Sequence, residues 1–324
     1  MIEKKETKGG LVMKGTLLVV GSLNMDASIR VAQMPRVGET ILGEQMTFSP
    51  GGKGANQAYA AAKLGTSVRM AGAVGEDRFG QTLCDHLLSV GVDCSLVRRV
   101  PDVSTGSAFI VVDQDGNNSI IVAQGANAAC TADQISDEML KSCDAVLLQM
   151  EIPLDTIESV VRRAHDFGKL VVLNPAPAPN HLPPSLYQGI DWLTPNETEL
   201  QTLTGETCRT MEDLVNAAQK LLDFGVQQVL VTVGDQGALW VNRDQALLFP
   251  SRKVQAVDTT AAGDTFHGAW LCALLEGRSI EEAIVFGNLA ASIAVTRPGA
   301  QSSIPDRAEV EALAVDAIQP IPVS

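Results

Sequence analysis

Several features that define large classes of proteins are missing from this chain of 324 residues. Its six cysteines are scattered, with no C-x-x-C pair and no cluster with histidine. That spacing argues against a disulfide framework or a zinc site, and it predicts reduced, mostly buried thiols in a cytoplasmic protein. No run of 18 apolar residues is present, so we expect no membrane-spanning helix. Residues 1–13 are too polar for the apolar core of a signal peptide, and we expect a loose, disordered extension there.

Blocks of positive charge are also missing. The chain has 24 Lys and Arg against 38 Asp and Glu, a formal net charge of −14. This balance argues against nucleic acid or an anionic membrane as a partner, because both require clustered cations. If the protein binds phosphate groups, backbone N–H groups and helix N termini must do much of the binding.

Short apolar segments alternate with helical patterns along most of the chain. The segment TLLVVGS from Thr16 is typical of a buried parallel strand, and the Ala-rich segment 54–64 is typical of a helix closed by Gly65. Further strands are predicted at TSVRMAGAVG, DAVLLQM, KLVVLNP and VQQVLVTVG, and further helices at 78–91, 153–167, 211–224, 263–277, 279–296 and 305–316. The alternation predicts an α/β fold with a doubly wound, mostly parallel sheet, helices on both faces, and one domain over residues 14–318.

Two stretches interrupt this alternation. Residues 28–48 are strand-like but contain proline, glycine and charge. Residues 105–123 hold two apolar segments separated by Asp115-Gly116, which is a strong hairpin signal. We expect these stretches to form a small β lid that projects from the main domain; the alternative is a pair of surface hairpins without a function.

The common nucleotide and hydrolase fingerprints are absent. The turn after the first strand reads Gly21-Ser22-Leu23-Asn24, which is not the G-x-G-x-x-G of dinucleotide-binding proteins. Lys53 is followed by Gly54 where a P-loop requires Ser or Thr. Neither H-E-x-x-H nor G-x-S-x-G occurs. Rossmann dehydrogenases, P-loop kinases, zinc hydrolases and α/β-hydrolases are therefore disfavoured.

The most informative segment runs from Asp258 to Asp264 and reads DTTAAGD. It leads from the strand-like VQAV into a helix that begins near Gly263. The small residues Ala261, Ala262 and Gly263 allow close backbone approach, and successive N–H groups at a helix start form an anion hole. A carboxylate beside such a hole suits a general base that takes the proton of a hydroxyl attacking a phosphoryl group. The alternative is that Asp264 only complements the helix dipole.

A second polar constellation lies near the N terminus. Gly51 and Gly52 allow tight backbone approach at the start of the Ala-rich helix, and Lys53 and Asn56 offer donors near one point, as a sugar requires. The alternative is a glycine-rich turn with a solvated lysine. Asn24 and Asp26 follow the end of the first strand, where open α/β sheets bind ligands, and can grip a polyol or merely cap a turn.

Two further segments are candidates for the nucleotide side. Asn196 and Glu199 share one face of a predicted helix, which suits a hydrated Mg²⁺ or, equally, a helix cap. Thr232-Val-Gly234-Asp-Gln-Gly237 closes a strand with glycines, which is consistent with a nucleotide edge lined by backbone.

Taken in this order, the segments resemble the PfkB-type, or ribokinase-like, carbohydrate kinases. The resemblance extends from about Thr16 to about Ala312, and its most specific motifs are GGKGANQA and DTTAAGDTF. It implies a doubly wound sheet, a β lid over the sugar, and a homodimer formed through the lids.

The resemblance also implies a role for individual residues. The sugar would contact Asn24, Asp26, Gly52, Lys53, Asn56 and Glu151, with Asp264 as the base and Ala261, Ala262 and Gly263 as the anion hole. ATP would contact Asn196, Thr232, Gly234, Asp235, Gln236, Gly237, Gly263 and Asn288, with Glu199 near Mg²⁺. An activating K⁺ would be held by Asp258, Thr260, Ala294, Arg297, Gly299 and Ser303.

The implied activity is ATP-dependent phosphorylation of a small sugar. Because Asn24 and Asp26 both hydrogen-bond, a substrate with vicinal hydroxyls is favoured, hence D-ribose phosphorylated at its 5-hydroxyl. Fructose, deoxyribose or a nucleoside are alternatives on the same frame. A non-catalytic sugar sensor is disfavoured, since Gly263 and Asp264 are both present, and a nicotinamide enzyme is disfavoured by the missing glycine fingerprint.

Overall fold

The computed structural model describes residues 15–115, 117–313 and 319–323. The predicted extension at 1–13, Gly116 of the predicted hairpin turn and residues 314–316 of the last predicted helix lie outside the described residues.

The described strands are β1 (Thr16–Val20), β2 (Asn24–Arg30), β3 (Thr47–Gly51), β4 (Ser67–Gly75), β5 (Asp93–Val100), β6 (Gly106–Val112), β7 (Asn118–Ala123), β8 (Ala145–Gln149), β9 (Leu170–Asn174), β10 (Trp192–Leu193), β11 (Gln228–Thr232), β12 (Gly237–Val241), β13 (Ala246–Pro250) and β14 (Ile321–Pro322). The described helices are α1 (Lys53–Lys63), α2 (Arg78–Ser89), α3 (Asp137–Ser142), α4 (Leu154–Asp166), α5 (Pro184–Tyr187), α6 (Glu197–Thr204), α7 (Met211–Phe224), α8 (Ala262–Leu275), α9 (Ile280–Ala294) and α10 (Arg307–Leu313).

The large sheet confirms the predicted doubly wound architecture. Its strand order is β14-β13-β12-β11-β10-β9-β8-β1-β4-β5. The pairs from β5 through β11 are parallel, and β12 to β14 add antiparallel strands at one end. From β1 the chain builds outward through β4 and β5, then returns to add β8 on the other side of β1. That reversal makes the carboxyl ends of β1 and β8 a topological switch point, where such sheets bind ligands.

Helices cover both faces of this sheet, and alternate side chains of each strand feed the two cores. Leu17 and Val19 pack with α1, α2, α8 and α9, whereas Leu18 and Val20 pack with α4, α6 and α7. All four side chains are at most 1% exposed, and burying each contributes roughly 1.5–3 kcal/mol. The continuous apolar run of β1 follows from burial on both faces.

A second sheet of four strands has the order β3-β2-β6-β7. β2 and β6 are parallel and the other two pairs are antiparallel, so the predicted hairpin β6–β7 is confirmed. The predicted lid bounds were wrong in one respect: β2 begins at Asn24, and β3 runs to Gly51, while most of 31–46 is irregular. The strand starts earlier because the chain passes directly from the end of β1 into the second sheet.

The strand-like segment VQAV, residues 254–257, forms no strand. Val254 and Val257 are 41% and 66% exposed, and the backbone N–H of Val257 donates to the carbonyl of Val295 beyond the end of α9. The segment therefore crosses toward α9, because β14 occupies the free edge of β13. Sequence reasoning also missed β5 and the antiparallel strands β12 to β14. No helix among the described residues is both long and apolar enough to cross a membrane.

Candidate active site

Glycines bring the start of α1 against the end of β1. A Cβ on Gly54 would lie 2.6 Å from the backbone nitrogen of Ser22, and one on Gly52 would lie 2.7 Å from that of Asn24. Gly52 also has a φ of 89°, which L side chains rarely adopt. The Gly-Gly-Lys-Gly sequence is therefore required for close packing of α1 at the switch point.

Glu151, in the loop after β8, hydrogen-bonds to both the start of α1 and the residue after Gly21 that follows β1. Its Oε2 accepts a hydrogen bond of 3.1 Å from the backbone N–H of Lys53 and another from the hydroxyl of Ser22. A carboxylate at the first N–H groups of α1 is electrostatically favourable. Glu151 thus has protein partners besides the predicted sugar.

Asp264 lies in the first turn of α8 with its carboxylate facing α1. Its Oδ2 accepts from Nδ2 of Asn56 at 2.8 Å, and its Oδ1 accepts from Nε2 of Gln57 at 2.9 Å. The residue is only 8% exposed. Two amide donors therefore hold a buried carboxylate in a fixed orientation.

Lys53 is the cation of the site. Burial alone would lower the pKa of Lys53. The carboxylates of Asp264, Glu151 and Glu199 outweigh burial and raise the pKa of this ammonium group, so it is charged at neutral pH. A single positive charge thus lies among several carboxylates.

Asp26 has a different environment on β2. Burial raises the pKa of Asp26 to about 7, and the carboxylates of Glu151 and Asp264 act in the same direction. No donor among the described residues hydrogen-bonds to the Asp26 side chain, which packs against Gly51, where an added Cβ would lie 2.1 Å from Oδ2. Asp26 is therefore an acceptor without a protein donor.

The neighbouring Asn24 is already engaged. Its Oδ1 accepts a hydrogen bond of 2.7 Å from Nδ2 of Asn127, which follows β7. Asn127 also bonds both the N–H and the carbonyl of Leu23. The amide oxygen of Asn24 thus connects β2 to the segment that follows β7. Nδ2 of Asn24 makes no hydrogen bond to the described residues.

A cavity of about 210 Å³ connects the predicted sugar, metal and nucleotide residues. It lies at the carboxyl edge of the large sheet and is lined by Lys53, Asn174, Ala176, Asn196, Glu199, Thr232, Thr259, Ala261, Ala262, Gly263, Asp264 and His267. Ala261 has a φ of 57°, a left-handed conformation rare for a residue other than glycine. An added Cβ at Gly263 would meet no atom within 4 Å, so the backbone there faces open space. The first turn of α8 can therefore present its N–H groups to an anion.

Asn196 and Glu199 form a reciprocal helix cap at the start of α6. The Glu199 N–H donates to Oδ1 of Asn196 at 2.8 Å, and the Asn196 N–H donates to Oε2 of Glu199 at 2.9 Å. Burial raises the pKa of Glu199, opposed by that hydrogen bond and by Lys53. The cap leaves Oε1 of Glu199 available at the cavity.

Of the predicted nucleotide residues, Asn196, Thr232 and Gly263 line this cavity. Gly234–Gln236 form a turn of 3-10 helix between β11 and β12. Nδ2 of Asn288, on α9, donates to the carbonyl of Phe249 at 2.8 Å, and an added Cβ on Gly237 would lie 2.1 Å from the same oxygen. The Phe249 carbonyl thus brings Asn288 and Gly237 together.

The predicted cation residues lie in the loop before α8, at the end of α9 and in the segment that follows it. Oδ1 and Oδ2 of Asp258 accept from the N–H groups of Thr260 at 2.9 Å and Gly299 at 2.8 Å, joining the two loops. The Arg297 guanidinium instead forms an ion pair with Glu309. The Ser303 hydroxyl donates to the carbonyl of Ala300 at 2.7 Å, and the Ala294 carbonyl accepts from the Arg297 N–H at 3.0 Å.

Sequence reasoning missed several polar residues around Asp264. Gln149 and Asn174 are the last residues of the apolar strands β8 and β9, and a polar residue that closes a buried strand was the signal that could have identified them. Gln57 lies within the quoted GGKGANQA motif. His267 is 3% exposed and lines the cavity, and burial lowers its pKa to about 4.

Burial keeps three of the predicted reduced thiols protonated. Cys130 and Cys143 are buried, and Cys94 is partly buried. Burial raises the pKa of Cys94 and Cys130 to about 12 and that of Cys143 to about 11, so these thiols are protonated at neutral pH.

This fold and this constellation belong to a known class. The chain matches the pfkB family of carbohydrate kinases over residues 14–307, and it is a member of that family. The resemblance seen in the motifs is therefore confirmed.

Individual relatives are similar over nearly their full lengths. The chain is 42% identical over 299 residues to the ribokinase of Haemophilus influenzae, covering 92% of this chain and 97% of that protein. It is 39% identical over 291 residues to the deoxyribokinase of Salmonella typhi, covering 89% and 95% respectively. The solved structure of Arabidopsis thaliana ribokinase complexed with ribose and ATP is 37% identical with a TM-score of 0.87, covering 93% of this chain and 99% of that one.

Proposed function

We propose that this protein transfers the γ-phosphoryl group of ATP to the 5-hydroxyl of D-ribose, giving ribose 5-phosphate and ADP. The observation that carries the proposal is the buried carboxylate of Asp264, held by Asn56 and Gln57 in the wall of a cavity that Lys53 and Thr232 also line. Sugar-side and nucleotide-side residues thus meet at one carboxylate.

In the proposed step, Asp264 accepts the proton of the sugar 5-hydroxyl while the oxygen of that hydroxyl forms a bond to the γ-phosphorus. The bond from that phosphorus to the β–γ bridging oxygen breaks, and ADP leaves with the electron pair. The charge that develops on the transferred group faces N–H groups of the first turn of α8 and the ammonium of Lys53. These groups supply the anion binding that the acidic composition of the chain otherwise lacks.

The choice of sugar rests on the named relatives and on Asp26, which lies on β2. Relatives named ribokinase, one of them solved with ribose and ATP, support ribose. Asp26, whose side chain receives no hydrogen bond from the part of the chain that the structure describes, suits a sugar that donates two hydroxyl hydrogens. The relative named deoxyribokinase makes 2-deoxyribose the second candidate, because its identity of 39% is close to that of the ribokinases.

A Mg²⁺ ion is expected with ATP, and the residues present fit it. Glu199 keeps one carboxylate oxygen for a metal-bound water, near Lys53 and Asp264. When bound with ATP, the metal would neutralise charge on the β- and γ-phosphates.

A K⁺ ion fits the loops joined by Asp258. The candidate donors are oxygen atoms, namely one carboxylate, the Thr260 hydroxyl and backbone carbonyls, which suit a hard cation. Because both Asp258 oxygens already bond Thr260 and Gly299, an ion there would stabilise the loop that precedes α8. Arg297 would contribute only its backbone.

The second sheet supports a homodimer. Phe109, Ile120, Ile121 and Val122 of β6 and β7 are between 49% and 68% exposed. Such a group of large apolar side chains on one small sheet is typical of an interface. A second copy of the same sheet is the proposed partner.

The proposal is tested by measuring ADP release with ribose, 2-deoxyribose, fructose and adenosine as acceptors. Ribose should give the highest kcat/KM. Higher kcat/KM with 2-deoxyribose would select the second candidate, and no turnover with any of the four would reject both.

The role of Asp264 is tested separately with Asp264→Asn, which keeps the shape and removes the base. Turnover should fall by about 10²–10⁴ or more, with ribose and ATP binding retained in calorimetry. Turnover near that of the native enzyme would refute the assignment of the base.

A further inference from the structure

A chain of buried amides connects Asp264 to the carboxyl edge of the large sheet. Nε2 of Gln57 donates to Oδ1 of Asp264 at 2.9 Å and to Oδ1 of Asn174 at 3.1 Å. Oε1 of Gln57 accepts from Nε2 of Gln149 at 2.7 Å, and Nδ2 of Asn174 donates to the carbonyl of Thr194 at 2.8 Å. Gln57 and Gln149 are 0% exposed and Asn174 is 4% exposed.

The members of this amide chain come from adjacent strands. Gln149 ends β8, Asn174 ends β9, and Thr194 directly follows β10. These strands are hydrogen-bonded neighbours in register, so the spacing of the three groups is set by the sheet itself. The carboxylate of Asp264 is thereby connected through Gln57 to the carboxyl ends of β8 and β9.

The three bonds fix the orientation of the Gln57 amide. Both hydrogens of Nε2 are used, one toward Asp264 and one toward Asn174, and Oε1 receives a donor from Gln149. Turning the amide over would set its oxygen against two acceptors and its nitrogen against a donor. Only one orientation satisfies all partners, and it presents a donor to Asp264.

Gln57 and Asn56 each donate one hydrogen bond to a different oxygen of the Asp264 carboxylate, which fixes the plane of that group. Each oxygen keeps lone-pair capacity for a further donor. A general base must lie within hydrogen-bond distance of the proton that it accepts, so its orientation limits the rate.

We propose that Gln57 is a positioning residue for phosphoryl transfer, which aims the Asp264 carboxylate at the attacking hydroxyl and is itself aligned by Gln149 and Asn174. This inference rests on the proposed function of Asp264 as the base. It predicts that loss of the amide slows the chemical step while leaving the binding of sugar and ATP intact.

The first test is Gln57→Met, which keeps the length of the side chain and removes its donors. We expect kcat to fall roughly 10- to 100-fold through misplacement of the base, with KM for ribose and for ATP changed less than about twofold.

A second variant changes Gln149, which hydrogen-bonds to Gln57. Gln149→Met removes the donor that aligns Gln57 and leaves both hydrogen bonds to Asp264 possible. We expect kcat to fall several-fold, and the double variant Gln57→Met/Gln149→Met should be no slower than Gln57→Met alone, since both act through one amide. If Gln57→Met does not fold, Gln149→Met decides the question by the same kcat and KM measurements.

A matched control separates positioning from loss of stability. Thr156→Val removes one buried hydrogen bond, from the Thr156 hydroxyl to the carbonyl of Cys130, outside the amide chain. It should lower the unfolding midpoint without moving kcat. Folded Gln57→Met with native kcat would overturn the inference, as would additive losses in the double variant. Retention of turnover by Asp264→Asn would instead overturn the base assignment, so the two failures are distinguishable.

Discussion

Asn56 donates a hydrogen bond of 2.8 Å to the carboxylate of Asp264, although 208 residues separate the two in the chain. Asn56 lies on α1 and Asp264 on α8, so the distance between these helices sets the bond. The same Asn56 accepts from Nε2 of Gln301 at 3.0 Å, which holds its amide in orientation. The geometry of the base thus depends on how closely α1 and α8 pack.

Gly268→Ala tests this dependence. An added Cβ on Gly268 would lie 2.5 Å from Cβ of Ala60 and 2.8 Å from the backbone nitrogen of Ala61, so α8 must move away from α1. Replacing glycine by alanine inside a helix ordinarily stabilises by about 0.4–1 kcal/mol. Here we expect the free energy of unfolding to fall by about 1–3 kcal/mol, because overpacking outweighs propensity, and kcat to fall as well.

Urea unfolding and steady-state kinetics measure both effects. Gly268→Ala/Ala60→Gly, which removes the nearest colliding atom, should recover part of the stability. A stabilised Gly268→Ala variant with native kcat would show that the spacing of the helices is not limiting.

Sugar binding should release a proton from Asp26. The pKa of Asp26 is raised to about 7, so below pH 7 the carboxyl is largely protonated in the free protein. Because sugar hydroxyls donate to the ionised form, binding favours deprotonation. The Kd for ribose should therefore fall as the pH rises toward 7 and level off above it, by at most about tenfold per pH unit.

Calorimetry at pH 6 in two buffers with different ionisation enthalpies counts the released protons. We expect close to one proton at pH 6 and none at pH 8.5. Asp26→Asn should bind ribose more weakly without proton release at either pH. Proton release that persists in this variant would assign it to another group.

Activity should depend on the monovalent cation through Asp258. Replacing K⁺ by Na⁺ or a bulky organic cation is expected to lower kcat several-fold, because the loop before α8 loses the ion that orders it. Asp258→Asn should weaken activation in a K⁺ titration. Asp244→Asn, on the exposed loop between β12 and β13, is the control and should titrate like the native enzyme. Equal rates in K⁺ and Na⁺ would contradict the cation site.

The second sheet should carry the dimer interface. Ile121 is 68% exposed on β7, and Ile121→Asp would place an unpaired carboxylate in the proposed interface. Light scattering coupled to size exclusion should report a dimer for the native protein and a monomer for this variant. Leu88→Asp, at a 54% exposed position on α2, should leave the assembly unchanged. A native monomer would refute the proposal.

Much of the fold was predictable because its signals are local. The helix 211–224 was predicted with its exact bounds, since Thr210 and Asp213 form a capping box and Gly225 follows the last turn. The exposed VQAV segment was misread because four residues cannot report whether a sheet edge is free to receive them.

Short motifs also predicted many residues of the site, but not the contacts that these residues make. Gly52, Lys53 and Asp264 stand in short segments whose composition indicates close backbone approach and a base. Nothing local indicated that Gln57 would meet Gln149, 92 residues away, or Asp264, 207 residues away. A glutamine in an Ala-rich helix has no sequence pattern that reveals its partners.

The sequence by itself determined most of the helices and parallel strands, the glycines at close approaches and the segment that contains the base, because caps, periodicity and backbone freedom act within a few residues. Only the tertiary structure decided which amides hold the Asp264 carboxylate and that the Asp26 side chain receives no hydrogen bond from the described residues. Those contacts join β8 and β9 to α1 and α8. Hydrogen bonds between such distant segments exist only once strand order and helix packing have fixed their distances.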